Sequence, residues 1–377
     1  MRILVVNAGS SSVKLRVVEA DDTLGASRDL GPPGEDLPDR LAEFVSAAGN
    51  LDATVHRVVH GGPRFAAPTI VDSKVRAALE ETIDLAPLHN PPALRGIDAT
   101  AALLNGIPTV ACFDTAFHVG MGPEASSYAI PASWKLRWGL RRYGFHGLSC
   151  AWATARAPQL LASSRFDDQK PLTKPLRLVV CHLGSGASVT AVDGGTTRDT
   201  TMGFSPLEGL VMATRPGDLD SAVLMWALRH GYDLREVEDA LEHQSGLLGL
   251  SGGLSPDMRH LLAARRAGDE MAALALSVYV HRLRGKIAGM AAATAGTDAI
   301  VFTGGIGENS EEIRAEVCSR LDWMGIRLDG DANTSATGRD ANITGEAARV
   351  ATLVVTARED LQMAAECRLL LANSWKF

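Results

Sequence analysis

The chain has 377 residues, enough for two domains of ordinary size. Hydrophobic residues make up 46% and charged residues 21%, the range of a globular protein, and a net charge of −7 without a basic block argues against nucleic acid as a partner. The five cysteines (Cys112, Cys150, Cys181, Cys318, Cys367) form no CxxC pair, the four apolar residues after Arg2 are too few for a signal-peptide core, and no apolar run has the length of a membrane span. Reduced thiols, no membrane partner and a cytoplasmic location are the expectations.

The first element is VVNAGSSSVK at 5–14. Strands are predicted over 2–7 and 13–19, joined by a Gly/Ser turn into a hairpin. Glycine lets backbone approach a phosphate, and serine hydroxyls and backbone N–H groups donate to its oxygens. Lys14 adds a point charge, and Asn7 offers a neutral oxygen suited to a hard cation or a phosphate-bound water. The GxxxxGK[ST] pattern is absent, so this is not a P-loop.

The stretch ATVHRVVHGGPRF at 53–65 places His56 and His60 four apart. Its β-branched character predicts a strand, where four residues span roughly 13 Å, too far to share one metal. Arg57, inside the apolar run, calls for an anionic partner, either a substrate or a structural ion pair. LAPLHNPPAL at 85–94 reads as a turn with three prolines, and His89 there satisfies backbone groups by default. Asp114 follows the apolar strand TVACF, a position for a base, a metal ligand or a cap. RRYGFHGLS at 141–149 sets His146 beside aromatic residues and glycine.

Residues 163–175 form a predicted polar surface loop. RLVVCHLGSGASVTAVDGG at 177–195 then repeats the opening device: apolar strand, Gly/Ser turn, alternating strand. The repeat half a chain later suggests two domains descended from one unit. Arg215, in MATRPGDLD, falls on a turn after an apolar run. In 269–290, Leu276, Val280, Leu283 and Ile287 make the stripe of an amphipathic helix, with Asp269 and Glu270 in its first turn. DAIVFTGGIGEN at 298–309 is a predicted strand running into a glycine-rich loop, with a helix from Ser310 through EEIRAEVCSRL. Residues 329–345 read as a second polar loop. Three strand-to-glycine turns in two similar halves suggest a nucleotide in the cleft between them. Two arginines, a histidine and an aspartate beside phosphate turns suit phosphoryl transfer, where catalysis is mostly positioning and charge stabilisation.

VVNAGSSSVK, HRVVHGG, LAPLHNPP, FDTAFH, YGFHG, GFSPLEGL and FTGGIGEN, running in that order from residue 1 to about 361, strongly resemble the acetate kinase family. The resemblance implies an α/β chain with the duplicated ribonuclease H-like (actin-like ATPase) fold, two domains around a nucleotide cleft. The domains would be residues 1–148 plus 361–377, on the acyl side and closed by the C-terminal helix, and 149–360, binding the nucleotide. It implies reversible phosphoryl transfer between ATP and acetate, giving ADP and acetyl phosphate, with magnesium or manganese, in a homodimer. A kinase for propionate or another short-chain acid is the alternative, and a non-catalytic, chaperone-like ATP-binding protein a more distant one.

By the same resemblance, Asn7 and Glu359 serve the metal, and Lys14 holds phosphate with Ser10 and Ser12. Arg57 binds the acetate carboxylate, in a methyl pocket of Val59, Leu88, Phe145 and Pro206. Asp114, His146 and Arg215 are catalytic. His182, Leu183, Gly184, Ser185 and Gly186 form the second phosphate loop. Asp257, Met258 and Arg259, with Gly305, Ile306, Gly307, Glu308 and Asn309, hold the nucleotide. The chain departs from the family pattern at Ser185 and Arg358, where asparagine is usual, and at Cys150, where histidine is usual. Ala213, Pro216 and Ser221 also depart from it, and SGGLSPD carries an extra glycine.

Overall fold

The structure, a computed structural model, describes residues 1–9, 12–32, 34, 36–162 and 174–374. Its chain divides into two compact units, Met1–Val119 with Phe145–Trp152 and Arg358–Phe377, and Gly120–Gly144 with Ala153–Ala357. Ser10 and most of the polar segment 163–175 lie outside the described residues.

The first unit is built on a six-stranded sheet: β1 (Ile3–Ala8), β2 (Val13–Val18), β3 (Leu24–Leu30), β4 (Ala53–Val58), β5 (Thr69–Ile70) and β6 (Thr109–Phe113). β1 and β2 are the hairpin expected at the N-terminus, in register from Ile3 opposite Val18 to Ala8 opposite Val13. β4 runs parallel to β1 and β6 parallel to β4. Alternation sends Ile3 and Val5 to one face and Leu4 and Val6 to the other, and both faces are covered. Helix Leu37–Ala48 packs Leu37, Leu41 and Phe44 on the second face. Helix Glu359–Ser374 packs Met363, Ala364, Cys367 and Leu371 on the first.

The second unit holds β7 (Arg177–Leu183), β8 (Ala187–Asp193), β9 (Thr196–Thr200), β10 (Ala299–Thr303), β11 (Ala341–Asn342) and β12 (Ala351–Val354). The two sheets run β3-β2-β1-β4-β6-β5 and β9-β8-β7-β10-β12-β11, one strand order used twice. In each, an antiparallel meander leads into two parallel strands, and a two-residue antiparallel strand closes the edge. The hairpin repeat in the sequence is thus the visible part of a duplicated domain. Helix Glu270–Ala293 buries Leu276, Tyr279, Val280, Leu283 and Ile287 along the expected stripe.

Four expectations are corrected. Residues 90–94 are not turn: helix Asn90–Leu103 begins there, with Pro91 and Pro92 in its first turn, where a missing N–H breaks no bond. The glycine-rich segment after β10 is a short helix, Gly304–Asn309, which Asn309 stabilises by donating to the Gly305 carbonyl at 2.8 Å. Inside 329–345, Asp329 caps helix Gly330–Ser335 by accepting from Ala332 N–H, and β11 follows. The helix expected from Ser310 starts on that residue's side-chain cap but ends at Cys318.

Candidate active site

In the first unit, the candidate side chains Arg57 and Asp114 gather at the C-terminal ends of the parallel strands. Arg57 is the penultimate residue of β4, and Asp114 directly follows β6. The register pairs Val58 with Phe113 and thereby brings the two side chains together. Arg57 Nε donates to Asp114 Oδ1 at 3.0 Å and Nη2 to Oδ2 at 2.5 Å. Its Nη1 donates to Asn7 Oδ1 at 3.2 Å, and Asn7 Nδ2 donates to Glu359 Oε2 at 2.8 Å. A guanidinium has five N–H donors, so one remains on each of Nη1 and Nη2. These two N–H groups are available to an anion such as a carboxylate.

Asp114 is buried, its side chain 1% exposed, and Arg57 is 16% exposed. Burial raises the Asp114 carboxyl above its ordinary value, Arg57 pulls it back, and the Glu359 charge adds to the rise. Burial works against the Arg57 charge, but Asp114 and then Glu359 outweigh it and keep the guanidinium charged. The pair therefore stands as an ion pair.

His146 donates its backbone N–H to the Asp114 carboxylate and sits at φ 59°, a left-handed position. The next residue can only be glycine, because a Cβ on Gly147 would lie 2.1 Å from the Asp114 carbonyl oxygen. Asp114 and His146 are thus fixed to one another through main chain. Val59 and Phe145 are buried, and Phe145 meets the edge of the His60 ring at 5.3 Å. Leu88, assigned to the same pocket, is 40% exposed. Lys14 lies opposite Asn7 in the hairpin with its side chain exposed, and Ser12 closes the turn by accepting Gly9 N–H at 2.9 Å.

For a hard cation, Asn7 Oδ1 and the Glu359 carboxylate are oxygen ligands on neighbouring side chains, joined through Asn7 Nδ2 donating to Glu359 Oε2 at 2.8 Å, the ligand chemistry magnesium or manganese takes. The residues present fit such an ion.

In the second unit, a cavity of about 610 Å³ is lined by Gly184, Ser185, Asp257, Met258, Arg259, Gly305, Ile306 and Asn309 among others, a volume in the range of small-ligand pockets. Ala213, Thr214, Pro256, Leu262 and Ser310 complete the lining; Ala213 had stood out only as a departure from the family pattern and Ser310 only as a helix start, and Thr214, Pro256 and Leu262 carry no charge or spacing that marks them in the sequence. The turn after β7 is tight, with Gly184 N–H donating to the Gly186 carbonyl at 2.9 Å, and Ser185 is exposed. His182 and Leu183 belong to β7, the leucine buried in the sheet. Asp257 caps helix Met258–Arg266 and pairs with Arg259, which holds its carboxyl at about 2. Glu308 is buried and accepts Ala357 N–H at 2.9 Å. Gly307 and Glu308 give their carbonyls to the buried Arg314, which therefore fixes the short helix from behind.

Arg215, half-buried, donates from Nη1 to the Pro206 carbonyl at 2.8 Å. Burial lowers its pKa, with Glu242 opposing. Among the described residues no carboxylate pairs with it, so its remaining donors stay available to an anion.

Two sheets of one repeated topology, each carrying polar groups at its strand ends, define a duplicated actin-like ATPase fold. Residues 37–365 match the family model of the Acetokinase family. An acetate kinase of Deinococcus deserti is 43% identical over 99% of this chain and 98% of its own. The crystal structure of Porphyromonas gingivalis acetate kinase superposes with a TM-score of 0.87 at 33% identity, covering 98% of this chain and 99% of that one. A propionate kinase from Francisella tularensis does so with a TM-score of 0.87 at 32% identity over 97% and 98%. This chain belongs to the acetokinase family.

Proposed function

We propose that the chain is an acetate kinase, transferring the terminal phosphoryl group of ATP to acetate to give acetyl phosphate and ADP, and the reverse. The observation that carries this reading is the outer N–H pair that Arg57 keeps after Asp114 and Asn7 have oriented it. Arg57 binds the acetate carboxylate, with Val59, Leu88, Phe145 and Pro206 as the methyl pocket. Acetate is already ionised near neutrality, so Asp114 need not act as a base; it holds the guanidinium in one orientation. A carboxylate oxygen attacks the terminal phosphorus in line, and ADP leaves. Arg215 and the His146 side chain offset charge on the equatorial phosphoryl oxygens.

The cavity residues Gly184, Ser185, Asp257 to Arg259 and Gly305 to Asn309 take the nucleotide, and Lys14 with Ser12 a phosphate. Asn7 and Glu359 would hold magnesium or manganese, whose charge when bound neutralises phosphate oxygens. Five buried cysteines outside any disulfide support a reducing, cytoplasmic setting, and among the described residues no helix is long and apolar enough to cross a membrane. Leu219, Val223, Met225, Trp226, Leu228, Tyr232 and Leu234 are exposed within one short stretch, which supports a homodimer; sedimentation at a single-chain mass over micromolar concentrations would reject it.

The test is the purified chain with ATP and acetate as sole acceptor, trapping acetyl phosphate as its hydroxamate, with and without EDTA. Acetyl phosphate formation that EDTA abolishes is expected; ATP turnover unaffected by acetate rejects the reading. The propionate kinase of equal structural likeness favours propionate as second acceptor, and kcat/KM measured for both acids is expected to rank acetate first.

A further inference from the structure

The loop Gly203–Glu208 carries the Pro206 carbonyl that receives Arg215, and it is anchored far more firmly than a surface loop needs. Tyr128 donates its hydroxyl hydrogen to Glu208 Oε2 at 2.5 Å, and the Tyr128 hydroxyl oxygen in turn accepts Phe204 N–H at 2.7 Å. Arg142 Nη2 donates to Glu208 Oε1 at 2.5 Å. Arg142 Nη1 lies 3.1 to 3.2 Å from the carbonyls of Thr200, Thr201 and Met202, the residues entering the loop. Tyr143 N–H donates to the Gly203 carbonyl at 3.0 Å. Gly203 leaves the space this takes: a Cβ there would sit 1.8 Å from Glu208 Oε2 and 2.2 Å from the Tyr128 oxygen.

Burial, with Glu208 beside it, pushes the Tyr128 phenol up, so it remains a donor. Burial works against the Arg142 charge, and Glu208 more than compensates. Arginine, carboxylate and phenol thus form a closed set whose single mechanical output is the placement of residues 203–208. Pro206 lies two residues before Glu208 and two after Phe204, between the two anchored points. Its carbonyl is the sole hydrogen-bond acceptor for the Arg215 side chain among the described residues.

We propose that Tyr128, Arg142 and Glu208 are positioning residues for phosphoryl transfer: they fix the Pro206 carbonyl, which in turn aims the Arg215 guanidinium at the transferring group. The proposal rests on the role given to Arg215 above. None of the three residues lines the cavity of the second unit. Losing them releases the arginine without altering the cavity wall.

The experiment is a double-mutant cycle between Glu208→Gln and Arg215→Ala, read in kcat and in KM for ATP, with Tyr128→Phe as a second probe and thermal unfolding as the check on folding. Glu208→Gln keeps the shape but weakens both bonds to the carboxylate; Tyr128→Phe removes only the hydroxyl. Each is expected to lower kcat by about tenfold or more while KM for ATP stays within about twofold, the pattern of an interaction used in the transition state. In the Arg215→Ala background the same changes are expected to cost less than about twofold, since the arginine they aim is gone. An undiminished loss in that background overturns the positioning role and leaves the Arg215 role standing. Wild-type kinetics in Arg215→Ala overturn both. If Glu208→Gln does not fold, the cycle runs on Tyr128→Phe with the same two readings.

Discussion

Arg57 shows how little freedom a buried guanidinium retains. Asp114 takes Nε and one N–H of Nη2, and Asn7 takes one N–H of Nη1. A lysine could offer the charge but neither the fork nor the fixed plane. Arg57→Lys is therefore expected to raise KM for acetate with little change in KM for ATP. Arg57→Ala is expected to cost about 2–4 kcal/mol in kcat/KM for acetate. It also leaves the Asp114 carboxylate buried without its counter-charge, so thermal stability falls as well. An unchanged KM for acetate in both variants would remove Arg57 from the acyl site. Asn7, Arg57 and Asp114 were legible in the sequence because polar residues ending apolar strands stand out against their neighbours. That Arg57 serves an ion pair and still keeps an outer N–H pair was not legible, because it depends on the register of β4 against β6. Tyr128, Arg142 and Glu208 were silent for a related reason. They come from segments up to 80 residues apart, and each is an ordinary surface residue until the chain brings them together.

At the scale of elements, the Gly/Ser hairpins were the readable signal, because alternating β-branched strands around a glycine turn have few other solutions. They located β1–β2 and β7–β8 and implied the duplication, while the remaining strand order follows from long-range pairing that local pattern does not encode. The errors fell where proline and glycine were read as breakers. Pro91 and Pro92 occupy the first turn of a helix, and Gly304 and Gly305 open another. Both residue types are tolerated at helix starts, so composition alone misplaces such boundaries. Gly147 is a different case, since it opens helix Gly147–Ala162 against the Asp114 carbonyl, with Phe117 Cβ 2.9 Å from where its own Cβ would be. Gly147→Ala has no flexible neighbour to displace and must push β6's continuation away from β4. A loss on the order of 1–3 kcal/mol from overpacking is expected, together with a fall in kcat as Asp114 and His146 separate. Urea unfolding and acetyl phosphate assays check the two halves, and wild-type values in both would mean the main-chain contact does not fix the site.

For the molecule as a whole, the buried histidines set how stability responds to acid. Burial lowers His56 to about 3, with Asp98 pulling the other way, and lowers His118 to about 4, with the Phe145 carbonyl opposing. His56 Nδ1 has no partner among the described residues, and its Nε2 meets Thr100 Oγ1 at 2.9 Å. In the unfolded chain both rings titrate near the ordinary value of 6.5. As pH falls below that value, the unfolded chain binds protons that the native chain refuses, so native stability falls. Each histidine contributes a slope of up to about 1.4 kcal/mol per pH unit, ending once pH passes its folded value. The sign is fixed by the lowered pKa: stability is present above about 6.5 and lost on the way down to about 4 for His118 and about 3 for His56. Asp114 and Glu366 act in the opposite sense, because burial raises both and the native state takes their protons first. Comparing variants removes that opposing part, since it is common to both chains. His118→Gln retains an amide able to donate to the Phe145 carbonyl, as the ring's Nε2 does at 2.9 Å, but cannot be protonated. Denaturant unfolding of both chains at pH 7 and pH 5 is the measurement. The wild type is expected to lose more stability than His118→Gln between the two, by up to about 2 kcal/mol for one histidine. Parallel pH dependence in the two chains would show that His118 protonates as readily in the folded protein as in the unfolded one.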